Sequence, residues 1–302
     1  MLSIILELIS LFFIRLSPGR IRQIGRAGGR IMWQVLPSRR KIAARAIRHN
    51  LETGDEQAHR LAESSFRHSG LSFAELFLNR KIDYRFLRAC IEIEDPALLF
   101  ETLQAPGPVV VATGHLGAWE LLPGVFALIR GKKQCQIVVR YPKSRALSRL
   151  LDHFRKHNGI DMVHKEQASS KVLRNLKGNG LTGFLVDQNC GRSKAVFLPF
   201  LKKTAAVNKG PALLALRSRA LVLPVFLVRE GDDKYRLITR PFLDTRNLTG
   251  SKESQIRQVA RFYTRAVEEM VRRYPEQWFW MHRRWKTRPK GEKKGFARES
   301  RE

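Results

Sequence analysis

Acidic residues are scarce: 27 Asp+Glu stand against 56 Lys+Arg, a formal net charge of +29 over 302 residues. That excess points to a polyanionic partner, whether nucleic acid, an anionic membrane surface or a phosphorylated substrate, and charge alone does not choose among them. Cysteine is sparse too. Cys90, Cys135 and Cys190 are odd in number, far apart and without a C-x-x-C pair, so neither a disulfide framework nor a zinc site is indicated. They are expected as small core filling in a reducing compartment. The apolar stretch from Leu2 to Leu16 is interrupted by Glu7 and falls short of the ~20 residues that a perpendicular membrane span needs. It has no basic leader and no small-residue cleavage site, which argues against a secretory signal. We expect residues 1–19 to form a helix lying in or dipping into a membrane. Arg15, Arg20, Arg22 and Arg26 would then sit among lipid phosphates on the cytoplasmic side.

Hydrophobic residues make up 43% of the chain, enough for one large core. From a helix cap expected at Ser38, residues 38–79 carry helical periodicity, with Leu61, Phe66, Leu71, Phe73, Leu76 and Phe77 on the apolar side. After residue 90 short apolar runs alternate with amphipathic segments: "VVVAT" at 109, "QIVVR" at 136, "GIDMV" at 159, "LTGFLV" at 181 and "LVLPVFLV" at 221. Helices are expected near 118–130, 144–158, 168–177 and 205–219, with a last one over 252–273. Strands that read as continuous apolar runs are covered on both faces, so the fold class is α/β, a central mostly parallel sheet flanked by helices. "YRLITR" at 235, after the turn "EGDDK", is expected as a hairpin partner of the strand at 221. One catalytic domain spans residues 20–288, followed by a basic tail over 289–302 that is expected to be disordered.

The chemistry concentrates at "VVVATGHLGAWELLPG", where a buried strand hands over to an apolar helix. In open α/β sheets ligands bind where strands end, and His115 lies just beyond "VVVAT". Histidine is matched to proton transfer near neutral pH, and a carboxylate beside it fixes its tautomer. Five residues along a continuous helix leave two side chains roughly 140° apart. Glu120 therefore reaches His115 only if His115 sits in the Gly114–Gly117 turn and Glu120 is already helical. The glycines here do not form G-x-G-x-x-G, so no nicotinamide cofactor is expected, and no metal cluster is visible.

"TGHLGAWELLP" resembles the H-x4-[D/E] motif of glycerolipid acyltransferases. "VVRYPKSRALSRLLDHFRKHNGI" (138–160), "GFLVDQNCGRSKAVFLPFLKKTAAVNKGPALLALRSRALVLPVF" (183–226) and "YPEQWFWMHRRWKTRP" (274–289) narrow it: the chain resembles the lipid A biosynthesis late acyltransferase family over about residues 20–290. The resemblance implies an acyltransferase that moves an acyl chain from acyl carrier protein to a lipid A precursor. It further implies a place at the cytoplasmic face of the inner membrane and no cofactor. His115 would be the general base and Glu120 its orienting carboxylate. Arg140 would hold an acceptor phosphate, its guanidinium fork suiting that task. Asp187 would orient the acceptor or Arg140, unless it is a plain turn residue, and Gln188 and Arg192 are further candidates on the acceptor side. Asp187 and Gln188 stand where the glycerol-phosphate branch carries F-P-E-G-x-[RS], which favours lipid A over lysophosphatidate as acceptor; the alternative is an acyltransferase of the same superfamily acting on another glycolipid or a lysophospholipid.

A rival from another class is a basic nucleic-acid-binding module. "WFWMHRRW" interleaves aromatic and basic residues as a stacking platform does, and Arg257, Arg261 and Arg265 share a helix face. No recognised nucleic-acid motif accompanies them, so no nucleic-acid partner is expected.

Overall fold

The apolar runs after residue 90 do become parallel strands. The computed structural model of the chain describes residues 12–130, 134–140, 144–155, 159–164, 168–231 and 233–292. Its main sheet contains β1 (Ile91–Ile93), β2 (Val109–Thr113), β3 (Cys135–Val139), β4 (Ile160–His164), β5 (Leu181–Leu185), β8 (Leu221–Arg229) and β9 (Tyr235–Thr239), in the order β1-β9-β8-β2-β5-β3-β4. β8, β2, β5, β3 and β4 all run parallel. β9 returns antiparallel to β8, with Leu227 opposite Leu237, as the turn at 230–234 leads one to expect. β10 (Leu243–Asp244) adds a short antiparallel pairing to β8. The remaining strands, β6 (Ala195–Phe200) and β7 (Lys203–Asn208), form a separate hairpin.

The continuous apolar strands are explained by a core on each face. Val110, Ala112, Val222, Phe226 and Val228 pack into one cluster, while Val109, Val111, Leu223, Val225 and Leu227 pack into the other. Side chains alternate across a strand, so a run with no polar residue serves both faces at once. Ten α-helices lie wholly within the described residues, and residues 12–15 are helical as well. The first three, α1 (Pro18–Val35), α2 (Pro37–Leu51) and α3 (Asp55–Glu75), precede the sheet, with a 3-10 continuation over Leu76–Lys81 and then α4 (Tyr84–Cys90). α5 (Pro96–Gln104) and α6 (Leu122–Ile129) cover the second face, through Leu99, Val125 and Phe126. α7 (Arg145–Arg155), α8 (Ala168–Lys177) and α9 (Gly210–Ser218) lie between later strands. α10 (Lys252–Arg273), begun by Ser251 accepting from the Ser254 N–H, buries Val259, Tyr263, Val267 and Met270 against the first face.

Ser38 is not a helix cap, since α2 starts at Pro37 after Leu36, and residues 52–54 break the helical stretch expected over 38–79. Three further segments differ from expectation. First, α1, where no helix is expected beyond residue 19, meets α3 through glycines. A Cβ on Gly70 would collide with the Gly25 carbonyl oxygen, and one on Gly29 would lie 2.6 Å from the Phe66 carbonyl oxygen. Second, the helix expected over 205–219 is α9 alone, and the residues before it belong to β7. Pro211 in the first turn of α9 places the helix start after the strand. Third, α6 begins at Leu122, not 118, and residues 114–121 are an irregular loop.

Most of the expected anchor over residues 1–19, and the tail beyond 292, lie outside the described residues. Among the described residues no helix is long and apolar enough to cross a membrane. The rings of Trp278 and Trp280 are only 2% and 1% exposed and meet edge-on with centroids 4.6 Å apart. Trp278 and Trp280 are thus core rather than faces of an open stacking platform.

Candidate active site

Register brings the site together. Thr113, the last residue of β2, is paired with Leu185, the last of β5, and the Val186 N–H donates to the Thr113 carbonyl at 2.9 Å. Two residues beyond each strand end stand His115 and Asp187, side by side at the carboxyl edge of the sheet. Asp187 is 4% exposed, and its carboxylate accepts three hydrogen bonds, each 2.8 Å long: His115 Nδ1 to Oδ1, and the His115 backbone N–H and Trp278 Nε1 to Oδ2. Burial alone would raise the Asp187 carboxyl. The facing His115 charge and the bonds from His115 and Trp278 outweigh it and hold the group well below the ordinary carboxylate range. Asp187 therefore stays ionised, and in the neutral imidazole His115 Nδ1 is the donor and Nε2 carries the lone pair. Gln188 Nε2 donates to that lone pair at 3.0 Å.

Glu120 is elsewhere. Its carboxylate takes a two-pronged bond from Arg155 at the end of α7, with Nε to Oε2 at 3.0 Å and Nη2 to Oε1 at 2.6 Å. The structure does not bring the expected His115–Glu120 pair into contact: among the described contacts the carboxylate on His115 is Asp187, and the one on Arg155 is Glu120. The physical reason is the late helix start. With residues 114–121 irregular, Glu120 is not carried round a first helical turn toward His115. Asp187, expected on the acceptor side, stands behind the histidine instead, and nothing in the sequence singles out Arg155. The H-x4-E spacing points to a local partner, while the actual partner is 72 residues away on the neighbouring strand.

The loop itself is tightly specified. Gly117 has φ +63°, and a Cβ there would collide with the Leu227 carbonyl oxygen, so only glycine fits. A Cβ on Gly114 would approach Asp187 Oδ2 to 3.3 Å, so the missing side chain lets the carboxylate come close. The Phe279 N–H donates to the His115 carbonyl at 3.0 Å, and the Gly117 N–H to the Gln277 carbonyl at 3.0 Å. The C-terminal segment after α10 thus runs against the loop like a short extra strand. The rings of Trp119 and Phe279 flank His115 at centroid distances of 5.6 and 6.1 Å. His282, nearby, is held neutral: burial first, then Arg284, pushes it down to about 4 despite the opposing charge of Asp187.

Arg140 directly follows β3, beside β5, and is exposed at the same carboxyl edge. Arg192 lies further out, its Nε donating to the Arg288 carbonyl at 3.2 Å.

The sequence model of a family described as bacterial lipid A biosynthesis acyltransferase matches residues 1–287. Among curated proteins, the chain is 34% identical over 123 residues to a lipid A biosynthesis palmitoleoyltransferase of Escherichia coli (strain K12), and equally to a lipid A biosynthesis acyltransferase of Shigella flexneri. It is 32% identical over 122 residues to a lipid A biosynthesis lauroyltransferase of Escherichia coli (strain K12). Each match covers 40% of this chain and 38% of the relative's length.

Proposed function

The chain belongs to the bacterial lipid A biosynthesis acyltransferase family, and we propose that it moves a fatty acyl chain from an acyl carrier protein thioester to a hydroxyl of a lipid A precursor, with His115 as general base. The observation that carries this reading is the His115–Asp187 pair, a proton acceptor oriented by a buried carboxylate at the ligand-binding edge of a parallel sheet. The relatives' names, palmitoleoyltransferase and lauroyltransferase, support a fatty acyl chain as the transferred group.

The geometry supports the following course for the proposed reaction. The acceptor hydroxyl displaces Gln188 from His115 Nε2 and gives its proton to that nitrogen as its oxygen attacks the thioester carbonyl carbon. The tetrahedral intermediate collapses with cleavage of the C–S bond, and the imidazolium returns the proton to the departing thiolate. Asp187 stabilises the imidazolium between these steps and keeps Nδ1 as the donor. A thioester is already activated, and neither serine nor cysteine flanks His115, so no covalent enzyme intermediate is required. The test is to supply acyl carrier protein thioesters with a lipid A precursor and read the product mass. Gain of one acyl unit on the precursor supports the reading. Transfer only to a lysophospholipid or another glycolipid would replace it with that acceptor.

Arg140 is the proposed contact to an acceptor phosphate. Arg140→Ala should raise KM for the lipid and leave KM for the acyl carrier protein little changed. Equal effects on both substrates would remove Arg140 from the acceptor side.

We also place the protein on the cytoplasmic face of the inner membrane, beyond what the N-terminal residues suggest. Ile24, Ile31 and Val35 form one stripe along α1, 39%, 56% and 62% exposed, with exposed Arg20 and Arg30 to its side. Apolar residues flanked by arginines suit the boundary of an anionic bilayer. Ile31→Glu with Val35→Glu should reduce flotation with phosphatidylglycerol vesicles. Unchanged flotation would take α1 off the membrane surface.

A further inference from the structure

Beneath the His115 loop lies a buried polar cluster that the reaction as described does not use. Arg229, at the end of β8, makes a two-pronged bond to Glu75, which is fully buried on α3. Arg229 Nη2 also donates to Ser72 Oγ at 2.7 Å, and Tyr235 Oη donates to Glu75 Oε1 at 2.9 Å. Arg22 Nε of α1 donates in turn to Tyr235 Oη at 3.1 Å. Burial, reinforced by the Arg229 charge, pushes the neighbouring His68 down to about 3 and keeps it neutral. A cluster this buried is costly to assemble, and packing alone does not require it.

Its outputs converge on the loop. Ser72 Oγ lies 2.7 Å from the Gly117 carbonyl oxygen and 2.9 Å from the His68 carbonyl oxygen. The hydroxyl has one hydrogen, and the His68 carbonyl sits within a helix where backbone N–H groups already reach it. Donation to Gly117 therefore satisfies the group that has no helical partner. Gln277 binds both backbone groups of Arg229, accepting from its N–H at 3.0 Å and donating to its carbonyl at 2.9 Å, while its own carbonyl accepts the Gly117 N–H at 3.0 Å. Both backbone groups of Gly117 thus lead back to Arg229. Seven residues beyond Ser72, Asn79 Nδ2 donates to the Glu120 carbonyl at 2.8 Å. The same helical layer thus grips the loop at both ends of its left-handed turn, between His115 and the Glu120–Arg155 pair.

We infer that Ser72 and Asn79 are positioning residues for the reaction: they hold the Gly117–Glu120 backbone, and through it His115, where it meets Asp187. The helical layer over residues 18–81 is then part of the active-site scaffold, and Arg229 is its hub. The kinetic consequence rests on the proposed function; the structural one does not.

The test compares Ser72→Ala and Asn79→Ala with wild type by hydrogen exchange, melting and steady-state kinetics on the full chain. In Ser72→Ala the Gly117 and Ala118 amides, which donate to Gln277 and Leu227, should exchange at least about tenfold faster, with Leu181–Leu185 unchanged. For either variant kcat should fall roughly 10- to 100-fold, the scale of a small misplacement of a catalytic group, with both KM values little changed and melting within a few degrees. Wild-type exchange and kcat in both variants would overturn the inference. So would a rise in KM at unchanged kcat, or loss of the fold in both. If Ser72→Ala alone fails to fold, Asn79→Ala decides, because its bond to the loop is outside the Arg229 cluster. A wild-type protein without transfer activity would sink the proposed function instead, and the exchange comparison would still decide whether the two side chains hold the loop.

Discussion

Asp187→Asn should lower kcat for acyl transfer by roughly 10³-fold or more while the protein still folds. The cause is the tautomer. The carboxylate takes hydrogen bonds from His115 Nδ1, the His115 N–H and Trp278 Nε1, and has no hydrogen to give. An asparagine keeps the volume but offers a single oxygen. If that oxygen stays with the backbone N–H and Trp278, its NH2 faces Nδ1 and forces the ring proton onto Nε2, where the acceptor hydroxyl needs a lone pair. KM should move little, because Asp187 is buried behind His115. The pH dependence has a definite sign. A carboxyl held below its ordinary range stabilises the fold above that range, and the contribution is lost as pH falls beneath it. The melting gap between wild type and Asp187→Asn should therefore be full at neutral pH and shrink below about pH 4. A variant retaining a tenth of wild-type kcat would remove Asp187 from the mechanism.

The site is legible in the sequence at His115 and misleading at its partner, for reasons of geometry. A strand of valine and alanine followed by glycine and histidine is a local signal, and β2 with His115 beyond it follows from those residues alone. Which carboxylate answers depends on strand order. β5 lies next to β2 although a long stretch of chain, holding β3 and β4, separates Thr113 from Leu181, and no periodicity encodes that adjacency. "LTGFLVDQ" carries the clue, since its aspartate stands two residues past the strand end, as His115 does past β2. The sheet is legible because both its faces are covered, which turns its strands into uninterrupted apolar runs. The packing of α1 is not legible, because its buried face meets Gly70 through Gly25 and Gly29, while its apolar stripe of Ile24, Ile31 and Val35 faces outward. The β6–β7 hairpin merges into an expected helix for a similar reason: Thr204-Ala205-Ala206-Val207 suits either state until Pro211 fixes where α9 starts.

His115→Ala should lower acyl transfer by roughly 10³- to 10⁴-fold and leave a small residual rate, with melting close to wild type. The small effect on stability follows from the surroundings. The His115 side chain is 19% exposed, and the loop is held by backbone bonds from Gly117, Ala118 and Phe279 that alanine leaves in place. Removing the imidazole does leave Asp187 with two donors rather than three, so a modest drop is expected. The sharper outcome is in the double variants. Asp187 acts through His115, so His115→Ala with Asp187→Asn should be hardly slower than His115→Ala alone. Glu120 acts through Arg155 and the loop backbone, so Glu120→Ala should still reduce whatever residual rate His115→Ala retains. If the reverse held, with Glu120→Ala silent and Asp187→Asn additive in the His115→Ala background, Glu120 would be the functional partner of His115 after all. The paired carboxylate seen at 2.8 Å would then be a structural bond.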